Sequence, residues 1–100
     1  MTFARIGIFE ADGRPLAPVV ELFRDCITPM FEALDGFLGY QAFVEDDGRR
    51  YVGISYWTSL EALEASADVA RSAREAAEGL GAAVVGTPII VHEEFDTRLA

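Results

Sequence analysis

Residues 36–59 read GFLGYQAFVEDDGRRYVGISYWTS, and the fold follows from them. Two runs rich in aromatic and β-branched residues, Phe37 to Glu45 and Arg50 to Trp57, flank Asp46-Asp47-Gly48. Asp-Gly between two such runs is a strong short-range hairpin signal, because tight hairpin turns need positive φ at their centre. The second run ends in the sole tryptophan, Trp57, and Thr58-Ser59-Leu60-Glu61 follows with the spacing of a capping box. Thr58 is expected to accept the Glu61 N–H while the glutamate reaches back, with Trp57 clamping the start of the helix.

Upstream, residues 3–9 (FARIGIF) predict a first strand with both faces at least partly covered, and Asp12-Gly13 turns the chain. Pro15 and Pro18 suit the opening of a helix, where a missing N–H costs nothing. Val19, Phe23, Cys26 or Ile27, Met30 and Leu34 then lay an apolar stripe at three- and four-residue spacing. Pro29 lies within that stripe and is expected to kink or interrupt the helix, and Gly36 suits the left-handed residue that ends it. Downstream, Leu60, Leu63, Ala67, Ala70, Ala73 or Arg74, Ala77 and Leu80 give the second helix a shallow, alanine-rich face, closed by Gly79-Leu80-Gly81. A last strand over 83–95 contains Pro88, which cannot donate to a ladder and so belongs at a sheet edge or a bulge.

The order strand, helix, strand, strand, helix, strand predicts an α+β, ferredoxin-like βαββαβ fold over residues 1–100. Its antiparallel four-stranded sheet has order 4-1-3-2, with both helices on one face. One parity of the strands holds Ala4, Ile6, Ile8, Val52, Ile54, Tyr56, Ile89 and Val91. The other holds Phe3, Phe9, Phe37, Phe43, Trp57, Val84 and Ile90. Two helices cover one face, so the other is expected to pack on a second copy as a homodimer.

Composition narrows the function. The 100 residues are 51% hydrophobic and 25% charged, which excludes disorder, and a chain of this length has material for one core. The formal net charge of −9 disfavours nucleic acid and anionic membrane surfaces. The N-terminal run reaches Arg5 and Glu10 too soon for a signal peptide, which predicts a cytoplasmic protein. One cysteine and one histidine cannot assemble a Cys/His metal site or an internal disulfide.

Pro29, Gly36, Gly39-Tyr40, the hairpin, and Trp57-Thr58-Ser59 leading into Leu60-Glu61-Ala62-Leu63 resemble the antibiotic biosynthesis monooxygenase-like (ABM) family of dimeric α/β barrels. The resemblance covers nearly the whole chain. It implies a homodimer with facing sheets and a small pocket beside each sheet. Members include cofactor-independent oxygenases acting on quinols and aromatic polyketides, haem-degrading enzymes, signal-processing enzymes and proteins with no known activity; the favoured expectation is cofactor-free oxygenation of a small aromatic or quinol-like molecule. The family's haem-degrading branch carries Asn, Trp and His where this chain has Gly7, Ser66 and Ala76, so the resemblance does not extend to haem degradation. Quinol-oxidising relatives carry His at the Ser66 position, and that role does not transfer either.

Candidate site residues follow from side-chain chemistry. His92, able to titrate near neutrality, is the candidate base, and its plainer role is a histidine on an edge strand beside Glu93 and Glu94. Arg5 in a central strand must pair or reach a pocket, where it would hold a substrate anion. Trp57, Tyr40, Tyr56 and Phe43 are candidates for stacking on, or donating to, an aromatic ligand, with Tyr51 beside them. Gly7, Gly39, Gly53 and Gly86 could open space for that ligand or mark bulges. Cys26, on the apolar stripe, is assigned to packing. Oxygenation without metal or flavin requires a substrate that supplies its own electrons. A non-catalytic dimeric domain, binding a small molecule or serving as a structural partner, is the competing class.

Overall fold

The computed structural model describes residues 1–99; Ala100, the last residue of the expected domain, lies outside them. The strands are β1 (Phe3–Ala11), β2 (Phe37–Val44), β3 (Arg50–Trp57), β4 (Ala82–Val84) and β5 (Ile89–His92). The helices are α1 (Ala17–Leu22), α2 (Thr28–Glu32), α3 (Leu60–Ala65) and α4 (Ala67–Gly79). The antiparallel sheet runs β2-β3-β1-β4, with β5 also on β1, so β4 and β5 are two halves of one edge strand. Strand order and ferredoxin-like architecture are as the sequence predicts. Pro88 lies in the break between the two halves, next to Gly86 at φ 69°.

The first helical run is continuous but not uniform. A π turn, Phe23–Ile27, separates α1 from α2, and the Thr28 N–H bonds the Phe23 carbonyl. Pro29, at the start of α2, has no N–H with which to bond the Asp25 carbonyl in α fashion. Widening the turn just ahead of it resolves the conflict. The wider turn also shifts the buried stripe. Val19, Phe23, Ile27 and Phe31 are buried, whereas Met30 is 45% exposed and Cys26 points to solvent. The expected packing roles of Met30 and Cys26 are therefore corrected, because the apolar repeat follows four residues per turn across this insertion.

A second shift occurs on β2. Phe37 pairs with Trp57 and Gly39 with Tyr56, leaving Leu38 as a bulge. Phe37 and Tyr40 therefore face the helices, and Phe43, paired with Val52, faces the opposite side. The sequence parity that grouped Phe43 with Phe37 and Phe9 fails at this single extra residue.

The third shift concerns the helix start. Ser59, not Thr58, caps α3 and accepts the Ala62 N–H at 3.0 Å. Thr58 instead donates its backbone N–H to the Gly36 carbonyl at 2.8 Å, tying the end of β3 to the entry of β2. Gly36 takes φ 85°, and a Cβ there would lie 2.6 Å from the Ala62 Cβ and 2.8 Å from the Thr58 Oγ1.

The helix-side face of the sheet carries the core. Phe9, Tyr51 and Trp57 meet Phe23, Phe31, Leu63, Ala73 and Ala77 there, all buried. Phe23 stacks on Tyr51 and Tyr40, and Phe31 and Phe37 meet Trp57 edge-on. The alanine face of α4 keeps the helix close to the sheet. The opposite face, with Ile6, Ile8, Val52, Ile54, Phe43, Ile89 and Val91, has no helix on it.

Two outcomes test this packing by urea denaturation. Phe31→Ala should cost about 3–5 kcal/mol, whereas Met30→Ala should stay within about 0.5 kcal/mol; the reverse order would rule out the π-shifted stripe. Gly36→Ala should cost about 1–3 kcal/mol through its positive φ, with the Ala62 contact adding to it.

Candidate functional site

Helix α3 ends and α4 begins at Ser66, whose φ −85° and ψ 1° break the helical run. The break leaves the Leu63 carbonyl at the last turn of α3, and Arg5 from the middle of β1 reaches it. The Arg5 Nη2 donates to the Leu63 carbonyl and its Nη1 to the Ser66 Oγ, both at 2.8 Å. The buried Ser66 hydroxyl donates to the same carbonyl at 2.6 Å. A cation at the negative end of a helix is favourable without any carboxylate. Burial, and secondarily the charge of Arg74, lower the Arg5 pKa below its ordinary value; the guanidinium nevertheless stays protonated at neutral pH.

Beside this tie lies a small cavity of about 40 Å³. Its floor is the sheet. Gly7 and Gly53 are direct cross-strand partners, and both line it with Arg5, Phe9, Ser55 and Tyr40. Phe23 and Phe31 form one wall; Ala70, Ala73 and Arg74 of α4 form another, and Pro88 closes the rim. Gly53 is not interchangeable with alanine here, since a Cβ would fall on the Tyr40 hydroxyl. Two other hollows are larger, about 430 and 450 Å³. One runs beside Asp35, Gly36 and Glu61, the other beside Thr2, Gln41, Tyr56 and Glu93.

Electrostatically the cavity is unlike the rest of the molecule. All eight basic residues are arginines, against 17 acidic ones. Arg14, Arg24, Arg49, Arg50, Arg71 and Arg98 each have a carboxylate partner within 4.0 Å. Among the described residues, the two that have none are Arg5 and Arg74, and both line this cavity. The Tyr40 and Tyr51 hydroxyls are hydrogen-bonded at 2.8 Å, with either able to donate. Burial raises both pKa values, and that of Tyr51 is pushed up to about 12 even though its bond to Tyr40 pulls the other way.

The sequence-derived candidates divide. Arg5, Tyr40, Gly7 and Gly53 come together at the cavity. Trp57 is buried behind it, its Nε1 donating to the Ser55 Oγ at 2.9 Å, and Phe31 stands between the indole and the cavity. His92 is exposed on β5, with its Nε2 3.3 Å from the Glu94 carboxylate, and does not line the cavity. Tyr56 and Phe43 lie on the helix-free face, where the Tyr56 hydroxyl bonds the Gln41 side chain. Period-two placement and the Leu38 bulge send both away from the cavity. Arg74 was not foreseen as a site residue. Glu78, four residues on, suggests an ordinary helix ion pair in sequence, but among the described residues no ion pair within 4.0 Å joins the two. Among the described residues no cluster of three His, Cys, Asp or Glu side chains could hold a metal ion. No helix among them is long and apolar enough to cross a membrane.

The tyrosine pair carries a prediction. Because the folded-state pKa of Tyr51 is raised above its ordinary 10.0, the folded protein holds its proton between pH 10 and about 12 while the unfolded chain loses it. Stability should therefore fall as pH rises through that window. Tyrosinate absorbance followed alongside circular dichroism should show Tyr40 and Tyr51 ionising together with unfolding. Ionisation of both near pH 10 in a fully folded protein would contradict their burial.

Solved structures share the fold. A monooxygenase from the gene ActVA-Orf6 of Streptomyces coelicolor, in complex with nanaomycin D, superposes with a TM-score of 0.76 at 21% identity, over 98% of this chain and 92% of that one. A variant of SnoaB, a cofactor-independent oxygenase from Streptomyces nogalater, gives 0.76 at 18% identity, over 95% of each chain. Rv0793 from Mycobacterium tuberculosis gives 0.64 at 17% identity over the full length of both. At these identities the superpositions establish the fold alone. No curated protein sequence matches the chain. Residues 9–80, more than half of the sequence, match the profile of the antibiotic biosynthesis monooxygenase family, and the chain belongs to that family.

Proposed function

We propose that the protein is a homodimeric, cofactor-independent monooxygenase acting on a small aromatic or quinol-like molecule whose ring enters the Gly7–Gly53 cavity. One observation carries this reading: a largely apolar cavity walled by Phe23, Phe31 and Tyr40 that also holds two arginines without carboxylate partners. Aromatic walls orient a flat ring, and the cations favour negative charge on its oxygen. Support also comes from the family and from the fold shared with a cofactor-independent oxygenase.

In the proposed reaction the ionised substrate passes one electron to dioxygen, and the resulting radicals join through a new carbon–oxygen bond. The peroxide then loses water as its O–O bond breaks. An activated CH₂ thereby becomes a ketone: one oxygen atom stays in the product, and the other leaves as water with the two hydrogens. The substrate supplies all the electrons. The protein supplies position, exclusion of water and charge stabilisation. A volume of about 40 Å³ is close to that of one or two waters, so a ring must part the rim. Pro88 lies in the interrupted part of the edge strand, between β4 and β5, where no ladder pairing to β1 holds it.

The helix-free face supports the dimer. Phe43, Ile89 and Val91 are 53%, 49% and 40% exposed there, beside half-buried Ile6, Ile8, Val52 and Ile54. A second reading, a dimeric binding domain without catalysis, draws on the position of His92 outside the cavity.

Oxygen uptake by chelator-treated, flavin-free protein with hydroquinones, naphthols and anthrones tests the first reading. Uptake above a heat-denatured blank is expected, with Ala70→Leu, which fills the cavity, lowering it by about a hundredfold. Uptake unchanged by that variant would move the chemistry elsewhere, and no uptake with any of the three classes would favour the binding domain. Sedimentation equilibrium should give a dimer for the parent protein and a folded monomer for Ile54→Asp, which places a charge in the facing sheets. A monomeric parent would remove the facing-sheet assembly.

A further inference from the structure

We infer that the cavity takes its ligand as a preformed anion, an ionised phenol or enol on a small aromatic ring, with the charged oxygen held between Arg5 and Arg74. This rests on the small-aromatic reading above and adds the charge state in which the molecule binds and the source of that charge.

The first ground is the distribution of charge. In a chain with 17 acidic and eight basic residues, an arginine left without a carboxylate is the exception. Two such exceptions at one apolar cavity, close enough for Arg74 to disfavour the charge on Arg5, are electrostatically costly while the cavity is empty. An anion between them relieves the repulsion. Arg5 is already fixed for this, since two of its N–H groups are held by Leu63 and Ser66 and its side chain loses little freedom on binding.

The second ground is that no group facing the cavity can take the proton. From β1 comes Arg5; from β2, Tyr40, backed by Tyr51 of β3; from α4, Arg74. The first helical run contributes Phe23 and Phe31, and the segment before β5 contributes Pro88. Among these described residues there is no carboxylate, imidazole or thiol, and arginine and buried tyrosine do not exchange protons near neutrality. The site stabilises an anion without making one. Its substrates are accordingly phenols and enols acidic enough to ionise in water, and the pH dependence of binding follows the ligand's own ionisation.

4-Nitrophenol tests this apart from any oxygenation. It ionises near neutrality, its phenolate is coloured, and it does not react with dioxygen; 4-nitroanisole is its neutral counterpart. Absorbance titration should show the phenolate bound about tenfold or more tighter than the phenol. Bound 4-nitrophenol would then have a pKa at least about one unit below that in buffer. Arg74→Gln should weaken phenolate binding by about 10- to 100-fold, the scale of a charge-assisted hydrogen bond. The same variant should leave 4-nitroanisole binding unchanged, and Arg74→Lys should restore part of the pKa shift. Arg74 is chosen because Arg5 also ties β1 to the α3–α4 break.

Equal affinity for phenolate, phenol and anisole, an unshifted or raised bound pKa, or no phenolate binding would each overturn the inference. Phenolate selectivity without oxygen uptake from any quinol would sink the oxygenase reading and leave the anion site standing. Oxygen uptake without phenolate selectivity would do the opposite.

Discussion

The arrangement depends on the bond between a strand and a broken helix. Arg5 leaves the centre of β1 and fastens to the Leu63 carbonyl and Ser66 hydroxyl, where α3 gives way to α4. A half-buried guanidinium needs acceptors, and a helix terminating over the sheet needs donors. Each meets the need of the other, with no carboxylate involved. The contact also orients α4, so that Ala70, Ala73 and Arg74 overhang the cross-strand glycine pair and leave the cavity there. Had the arginine been paired with an acid, as six of its counterparts are, Arg74 would be the one uncompensated cation left at the cavity.

Much of the fold was legible because several local signals point the same way. Asp-Asp-Gly, the two β-rich runs, Gly36 and the alanine face of α4 each specify a turn, strand, cap or helix by its own physics, and they agree. What was not legible came from insertions of a single residue. The π turn before Pro29 and the bulge at Leu38 each shift a pattern by one position, turning Met30 and Phe43 outward while Phe31 and Tyr40 turn in. Periodicity fixes a face only as long as the period is unbroken. Neither insertion has a strong sequence signature, although Pro29 shows that some local adjustment of the helix is required.

The lining of the cavity, the candidate site, was partly legible. Arg5 stood out because a charge in a central strand demands a reason, and Gly7 and Gly53 because strand glycines often do. His92 was chosen on chemical type, but type says nothing about which side of an edge strand or which end of the sheet a residue occupies. Arg74 was invisible for the opposite reason: its sequence neighbours include ready partners, and only the packed helix shows that it turns from them towards the sheet. Trp57 belongs to the core that the capping sequence implied, although Ser59, one residue later, is the residue that caps.

The buried indole has a practical side. The chain contains one tryptophan, sealed from solvent and hydrogen-bonded to Ser55, which itself lines the cavity. Phe31 touches both the indole and the cavity. The indole fluorescence is therefore an intrinsic reporter placed one side chain away from the cavity. Emission in the folded state should lie well to the blue of free indole, and a quinone or nitrophenol in the cavity is near enough to quench it. The molecule carries its own dye where occupancy is to be read, with no label to attach and no surface residue to alter.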